Sequence, residues 1–329
     1  MFSSKLPLVL LTSLLAVTMF AADPVGFELV TKADQTEVKY QGKIVASYLT
    51  ANDTSNGARA NETYKPYLRI VDPTTEEAIT KGPGGTYTHH RGIFFGWMRI
   101  GLENQRMDFW SMGAGRQIHT AFKEQSAQAQ GAKLVSLIDW KMRNGQLVVS
   151  EERTMSFAAL AAPGFLQVDF ATTITAEAGD LNLEADPEHG GVHYRAPEEV
   201  DGTKTQYFFP VEHPQPHKDL DYRWVGMTYV LADKTYGVVE INHPSNPTGT
   251  KWSAYRDYAR FGAYPHTTLK KGDKLTLRYR FLISAGQLVP LEAILKSEAD
   301  FVGKSVEATP LTPLPAEHPA KVAPKPKAK

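Results

Sequence analysis

The chain has 329 residues, 42% of them hydrophobic, so it is long enough to bury a substantial core. Lys and Arg together number 36, as do Asp and Glu, and the formal net charge is zero. Such a chain has no basic excess for neutralising a phosphate backbone, and we expect no nucleic-acid partner. Cysteine is absent, which excludes disulfides, thiolate catalysis, iron–sulfur clusters and cysteine-ligated zinc.

Residues 1–22 predict a signal peptide. Lys5 supplies a positive charge, residues 6–20 form an apolar run, and the small residues Ala21 and Ala22 precede a polar start of the mature chain. The apolar run is shorter than the roughly 20 residues that a membrane-spanning helix needs. We therefore expect an exported protein, periplasmic or extracellular, with no stable membrane span.

After the signal, apolar and polar residues alternate, which is typical of β-strands with one buried face. Residues 275–283 are the clearest case, with apolar side chains at the odd positions and polar ones at Thr276, Arg278 and Arg280. A similar stripe runs through residues 166–174. The pattern predicts a protein made mostly of antiparallel strands.

An Asn-Gly pair at residues 144–145 is typical of two-residue hairpin turns. Residues 133–141 and 146–157 are therefore predicted to pair as adjacent strands. The second strand has Glu151 and Arg153 on its apolar face. Because unpaired burial of charge is costly, these side chains either pair with each other at a sheet rim or face a polar cleft.

Residues 290–302 carry apolar side chains at helical spacing, with Pro290 near the first turn, and predict a helix. Residues 308–329 are rich in Pro, Lys and Ala and have little to bury, so they predict a disordered tail. No break in composition divides residues 23–307. We predict one all-β domain there, a large antiparallel two-sheet sandwich with few short helices.

The ten histidines are unevenly placed. Residues 88–92 (THHRG) follow a Gly-rich turn and lead into an apolar run, a suitable position for polar side chains at a cleft mouth. If a strand begins there, His89 and Arg91 face one way and His90 faces the other. A satisfied structural histidine is the alternative. Because histidine is the usual acid or base near neutral pH, we predict that His90 and Arg91 are catalytic.

Residues 188–195 hold a second concentration. The two glycines between His189 and His193 argue against a zinc-binding helix. In an extended strand, His189, His193 and Arg195 share a face instead. We predict that His193 is catalytic together with the first group.

Further polar and aromatic residues stand in or near rigid loops, and these suit recognition of a small polar molecule or oligosaccharide. Ordinary turn chemistry and core packing are the alternatives at each position. The predicted substrate-binding residues are Asp108, Trp110, His243, Asn246, Arg256 and Tyr258.

A divalent metal cation is a possible cofactor. His89, His119 and Glu188 are the predicted ligands, with His193 or Asp108 as alternative members of the set. The chain has neither a P-loop nor a dinucleotide-binding glycine pattern. We therefore expect no nucleotide, flavin, haem or iron–sulfur cluster.

Several of these motifs resemble a family of secreted bacterial proteins labelled PmoA or methane oxygenase PmoA, otherwise treated as a domain of unknown function. The motifs run from about residue 64 to residue 286. They are residues 65–68, 88–92, 95–96, 108–110, 243–247, 252, 256–258 and 277–280. Asn242 stands where the family pattern has an acidic residue.

The resemblance implies a galactose-mutarotase-like sandwich that works on carbohydrates. An oxygenase role does not fit, because a particulate methane oxygenase subunit needs several membrane spans. Fold alone does not fix a function.

Two functional hypotheses follow. The first is an exported hydrolase or lyase that acts on a glycoside or modified sugar by histidine acid–base catalysis, possibly with a metal. The second is a non-catalytic carbohydrate-binding or cell-envelope interaction protein that binds through aromatic side chains. Polar residues outnumber aromatic ones in the marked loops, and this favours the enzyme.

Overall fold

The computed structural model describes residues 25–184 and 188–317, together with Met1. The predicted signal peptide, residues 1–22, lies outside the described residues except for Met1. Within the part of the chain that is described, no helix is long and apolar enough to cross a membrane.

Strands dominate the described residues, and helices are short. In chain order the strands are β1 (Phe27–Thr31), β2 (Gln35–Tyr40), β3 (Lys43–Leu49), β4 (Tyr67–Ile70), β5 (Gly92–Trp97), β6 (Arg99–Leu102), β7 (Gln105–Met107), β8 (Gly115–Gln128), β9 (Gly131–Met142), β10 (Leu147–Ala159), β11 (Gly164–Ala176), β12 (Leu181–Glu184), β13 (Gly190–Arg195), β14 (Gln206–Phe209), β15 (Trp224–Leu231), β16 (Lys234–Asn242), β17 (Lys251–Arg256), β18 (Arg260–Tyr264), β19 (Thr267–Leu269), β20 (Lys274–Ala285) and β21 (Thr312–Pro315). The helices are α1 (Gly57–Glu62) and α2 (Leu291–Val302), and residues Gly202–Lys204 form a 3₁₀ turn.

The described strands form three sheets whose neighbours pair antiparallel. The eight-stranded sheet has the order β1-β2-β3-β4-β5-β13-β18-β17. The nine-stranded sheet has the order β21-β14-β15-β16-β20-β11-β10-β9-β8, and a four-stranded sheet has the order β19-β12-β6-β7.

The two large sheets share one hydrophobic core. A single cluster of buried side chains includes residues of both sheets, for example Ile93 of β5 and Phe281 of β20. A hydrogen bond also joins them, since the hydroxyl oxygens of Tyr194 and Tyr229 are 2.7 Å apart. The prediction of an all-β antiparallel two-sheet sandwich is confirmed, and the four-stranded sheet is an addition to it.

Two local predictions are also confirmed. Strands β9 and β10 pair across the turn at residues 144–145, where Gly145 has a φ of 88°. Helix α2 follows Pro290 and ends at Gly303, which has a left-handed φ of 73°. Glycine is favoured at both positions because it has no Cβ to oppose a positive φ.

Part of the C-terminal tail is ordered. Strand β21 pairs with β14, and Leu314 packs against the hydrophobic core. The prediction of disorder from Ala308 therefore does not hold for residues 308–317, because an extended segment needs only backbone hydrogen bonds and one apolar anchor to extend a sheet. Residues 318–329 lie outside the described residues.

The two charges on the apolar face of β10 form an ion pair inside the sandwich. Arg153 Nε donates to Glu151 Oε1 at 2.8 Å, and both side chains are fully buried. The carboxylate also accepts hydrogen bonds from Trp140 Nε1 and Thr172 Oγ1, each at 2.8 Å. The pair thus lies neither at a rim nor in a cleft, and these hydrogen bonds replace the water that burial removes.

We expect Glu151→Ala to lower the free energy of unfolding by about 3–5 kcal/mol, because Arg153 would remain as a buried charge without its carboxylate. Glu152 is the matched control: it is adjacent on the same strand but half-exposed, with Lys123 Nζ 2.8 Å from its carboxylate. Glu152→Ala should cost less than about 1 kcal/mol. Urea unfolding measures both values, and equal losses would contradict the assignment.

Candidate active site

Four histidines, here called the histidine cluster, lie together: His89, His90, His189 and His193. The ring centroids of His89 and His90 are 4.3 Å apart, and those of His90 and His189 are 6.2 Å apart. His193 joins the group through Trp110, whose ring is 4.7 Å from His193, 5.9 Å from His90 and 5.7 Å from His189. The segments near residues 90 and 190 therefore meet, as the sequence predicts.

Strand alternation explains why the cluster lies on the outer face of the eight-stranded sheet. Phe95 and Val192 are cross-strand neighbours on β5 and β13, and both belong to the sandwich core. The next pair, Phe94 and His193, must project from the opposite face. Gly262 lies beside His193 on β18, where a Cβ would be 2.6 Å from His193 Cδ2. Glycine therefore makes room for the imidazole.

Trp110 is held by the turn that follows β7. Asp108 Oδ1 accepts the backbone N–H groups of Trp110 and Ser111, each at 2.8 Å. Asp108 therefore shapes the turn, and we assign it a positioning role in place of the predicted contact with substrate. Trp110, predicted to bind substrate, lies against three histidines of the cluster.

The ring nitrogens at the centre of the site lack well-formed hydrogen bonds. Among the described residues, neither ring nitrogen of His90 has a partner, nor does Trp110 Nε1, and His193 approaches the Gly190 backbone without hydrogen-bond geometry. His90 is 1% exposed and His193 is 0% exposed. Other orphaned groups occur elsewhere, such as the Glu240 carboxylate. Because each unpaired buried group costs about 1–3 kcal/mol, five such atoms in one place indicate a site that a polar ligand completes.

A buried lysine adjoins the cluster. Lys65 Nζ donates to the backbone oxygen of Trp110 at 2.8 Å and lies 4.4 Å from the centre of the Phe94 ring. Lys65 is 2% exposed, and no carboxylate within the described chain forms an ion pair with it. Burial holds the pKa of Lys65 well below its usual range, and the Asp108 carboxylate acts in the opposite direction.

Two arginines of the site share one carboxylate. Arg256 Nε donates to Glu188 Oε2 at 2.9 Å, and Arg260 bonds the same carboxylate and donates to the Glu188 backbone oxygen at 3.0 Å. Tyr258 lies beside Arg260, with its ring centre 5.7 Å from the guanidinium carbon. Arg256 and Tyr258 were both predicted to bind substrate. Arg256 binds Glu188 instead, whereas Tyr258 lies near the histidines.

Burial, together with smaller effects of nearby positive charges, Lys65 first, lowers the pKa of His89 to about 3. Burial also holds the pKa values of His90 and His193 well below their usual range, with Arg260 as the largest charge effect on both. All three imidazoles are therefore neutral at pH 7. Each then offers one N–H donor and one acceptor nitrogen.

Two tyrosines cover the cluster on its solvent side. The ring of Tyr87 is 5.2 Å from His90 and 5.3 Å from Tyr258. Tyr87 is 39% exposed and stands at the end of a Gly-rich loop. Glu198 holds this loop, since its Oε1 accepts the backbone N–H of Thr86 at 2.7 Å. The loop is thus the part of the site that separates the buried histidines from water.

Arg91 has a structural role in place of the predicted catalytic one. Its guanidinium donates to the backbone oxygens of Thr88, Glu62 and Asn61 at 2.6–2.7 Å. The guanidinium carbon also lies 4.0 Å from the centre of the Tyr64 ring. Because these contacts tie the histidine loop to the end of α1, they leave Arg91 no orientation toward a ligand.

His243 and Asn246 do not join the histidine cluster. The ring of His243 is 5.1 Å from Phe301 of α2, and Asn246 Nδ2 donates to the backbone oxygen of Arg278 at 2.8 Å. Both residues line a separate cavity of about 460 Å³. Their loop follows β16 of the nine-stranded sheet, which is why it ends away from the histidines. We withdraw their assignment to the same substrate site.

The predicted metal ligands are not assembled. His119 lies on β8 with Nδ1 2.7 Å from Ser136 Oγ, while His89 lies against His90. The Glu188 carboxylate is engaged by two guanidinium groups. Within residues 25–184 and 188–317, no three His, Asp or Glu side chains are placed to hold a metal ion.

Sequence reasoning gave no role to Lys65 or Arg260, the two cations that act on the histidines. Lysine and arginine are usually surface residues, so neither attracts notice alone. One signal for Arg260 was available in the sequence. Arg260 and Gly262 are two residues apart on an apolar strand, so their side-chain positions lie on the same face of the sheet. A charge at an inward position of a strand indicates either an ion pair or a site.

Comparison with solved structures finds only distant similarity. A galactose mutarotase-like protein from Lactobacillus casei shares 8% identity over 79% of this chain and all of its own length, with a TM-score of 0.37. A galactose 1-epimerase from Lactobacillus acidophilus shares 8% identity over 80% of this chain and all of its own, also at 0.37.

A polysaccharide lyase shares 10% identity over 85% of this chain and 35% of its own length, with a TM-score of 0.33. This chain thus spans about a third of the lyase. No functional argument rests on likenesses at this level.

Comparison with curated protein sequences finds no significant match. A family model described as a family of unknown function (DUF6807) matches residues 35–295. That description names neither PmoA nor a reaction, so it lends no support to the methane oxygenase label.

The low pKa of His89 predicts a pH effect on stability. In the unfolded chain His89 becomes protonated below about pH 6.5. In the folded chain it stays neutral until the pH nears 3. The free energy of unfolding therefore falls as the pH falls through this window. We expect the decline between pH 6.5 and 4 to be shallower in His89→Gln. Urea unfolding across this range measures it, His213→Gln controls for loss of an imidazole, and an unchanged slope would refute the prediction.

Proposed function

The chain belongs to the DUF6807 family, and we propose that it is an exported enzyme that acts on a carbohydrate at the histidine cluster. The proposed reaction is cleavage of a glycoside or modified sugar, by hydrolysis or as a lyase, with histidine as the proton carrier. The proposed location is the periplasm or the cell exterior, because residues 1–22 have the pattern of a signal peptide. The observation that carries the proposal is the set of unpartnered imidazole nitrogens around Trp110.

A sugar matches the chemistry of this site. Each sugar hydroxyl both donates and accepts a hydrogen bond, which is what the neutral imidazoles of His90 and His193 require. Trp110 and Tyr258 supply aromatic faces against which the C–H groups of a sugar ring can pack. Tyr87 packs against His90 and Tyr258, so a ring bound beneath it would be shielded from water.

Proton transfer is proposed to run through His90. In its neutral form His90 accepts a proton from a ligand or water group, and the imidazolium formed returns that proton to the departing oxygen. His193 is proposed to hold a neighbouring hydroxyl, and Arg260 to stabilise negative charge that develops on oxygen. Positioned proton transfer of this kind contributes roughly 10²–10⁴-fold to a rate.

Non-catalytic carbohydrate binding is the second candidate, and the low histidine pKa values favour it. An imidazole whose pKa is about 3, as in His89, is a weak base, whereas an efficient base has a pKa near the working pH. The same imidazole remains a good hydrogen-bonding group. A binding protein would hold glycans here and release no product.

A glycoside panel distinguishes these candidates. The mature protein is incubated with neutral and acidic glycosides, and reducing ends and unsaturated products are measured. The enzyme hypothesis predicts turnover that falls roughly 10²–10⁴-fold in His90→Ala. The binding hypothesis predicts saturable binding without product, weakened by Trp110→Ala.

His243→Ala is the matched control, because that histidine lies at the separate cavity beside α2. Its turnover should equal that of the unaltered protein. Equal turnover in His90→Ala and the unaltered protein would remove His90 from the mechanism.

A further inference from the structure

We infer that the ligand of the histidine cluster is an acidic sugar whose carboxylate lies beside Arg195 of β13 and Arg260 of β18, which are neighbours across the two strands. This inference rests on the proposed function and names its substrate class. It follows from three observations: the imbalance of charges around the cluster, the N–H groups of the cations that have no acceptor, and the protonation state of the histidines.

The charges around the site do not balance. Arg256 and Arg260 share the single carboxylate of Glu188. Lys65 lies within electrostatic range of Asp108, and burial holds its pKa well below the usual range. Among the described residues, the arginines of the site therefore outnumber the carboxylates that form ion pairs with them.

Arg195 adds to the excess. It is 1% exposed, its ring neighbour is Tyr258, and its Nη1 donates to the backbone oxygens of Tyr258 and Pro197. Glu198 is close enough to influence Arg195 electrostatically, but it forms its ion pair with Lys81. A buried guanidinium whose bonds go to neutral carbonyls still lacks a counter-charge.

Donor groups remain available on these cations. Among the described residues, Nε of Arg195 and Nε of Arg260 are buried without a hydrogen-bond partner. Both guanidinium groups lie beside the ring of Tyr258. Charged donors bind charged acceptors about twice as strongly as neutral ones, so a carboxylate satisfies them better than a hydroxyl does.

The neutral state of the histidines supports the same ligand. The positive charges of Lys65 and Arg260 are among the causes that keep His89, His90 and His193 neutral. A negative charge within about 4–6 Å reverses that effect and favours the protonated imidazole. An acidic substrate would thus convert weak bases into groups able to exchange protons near neutral pH, whereas a neutral sugar would leave them as they are.

The substrate class follows from combining these requirements. The aromatic faces and neutral imidazoles fit a sugar ring, and the surplus cations fit one carboxylate attached to it. A uronic acid residue has both features in one molecule. Phosphorylated sugars share the negative charge, and guanidinium groups bind phosphate as well as carboxylate, so a phosphorylated sugar is the alternative that the experiment includes.

The test compares matched ligands on the unaltered mature protein. Dissociation constants are measured by calorimetry for methyl glucuronoside and methyl galacturonoside and for the corresponding methyl glucoside and methyl galactoside. We expect at least one uronoside to bind tenfold or more tightly than its neutral counterpart, with the difference reduced at high salt. Glucose 6-phosphate serves as the phosphorylated probe.

Each outcome decides a different question. Equal affinity for uronosides and neutral glycosides, or tighter binding of the phosphorylated sugar, would overturn the inference and leave the proposed function standing. Absence of binding by every sugar would overturn the proposed function itself. The ligand comparison does not depend on whether any variant folds.

Two further measurements assign the charge. Arg195→Met should abolish the preference for the uronoside, while Arg143→Met, at an exposed arginine in the turn between β9 and β10, should preserve it. In NMR titrations, the His89 pKa should rise from about 3 when the uronoside is bound and stay low with the neutral glycoside. An unchanged preference in a folded Arg195→Met protein, or an unchanged His89 pKa, would refute the assignment.

Discussion

The central strands of the eight-stranded sheet are buried on both faces, and the chemistry of the site depends on this. Every residue of β5, β13 and β18 is shielded from solvent. One face packs into the sandwich core, while the histidine loop, the Trp110 turn and Tyr87 cover the other. Polar side chains on the covered face have therefore lost their water. Lys65, His90 and His193 are consequently costly to the fold, and under the proposed function they are the groups that a ligand would satisfy.

Buried charged and polar groups are accommodated in two different ways in this molecule. The Glu151–Arg153 pair inside the sandwich is satisfied by its own hydrogen bonds and needs nothing from outside. Around the histidine cluster the corresponding groups are incomplete, with imidazole and guanidinium nitrogens unpaired among the described residues. A structural ion pair is complete within the protein, whereas a site keeps part of its bonding capacity for a partner.

The sequence predicted the elements of the fold well, because each depends on neighbours along the chain. Alternation identified β20, an Asn-Gly pair identified the β9–β10 turn, and helical spacing identified α2. It also predicted that His90 and His193 meet. His243 could not be placed in this way, since its position depends on which sheet receives β16. The same limit applies to Lys65, whose burial results from a turn more than forty residues away.

Strand β21 affects whether one molecule can pair with another through the edge of its sheet. The backbone N–H of Ala316 points toward β14, where it donates to Thr205, and alternate residues of a strand point the same way. Pro313 and Pro315 consequently occupy the opposite, outward positions, and proline has no N–H to offer. The β21 edge of the nine-stranded sheet therefore cannot donate backbone hydrogen bonds from those positions to a strand of a neighbouring chain. This opposes fibril growth.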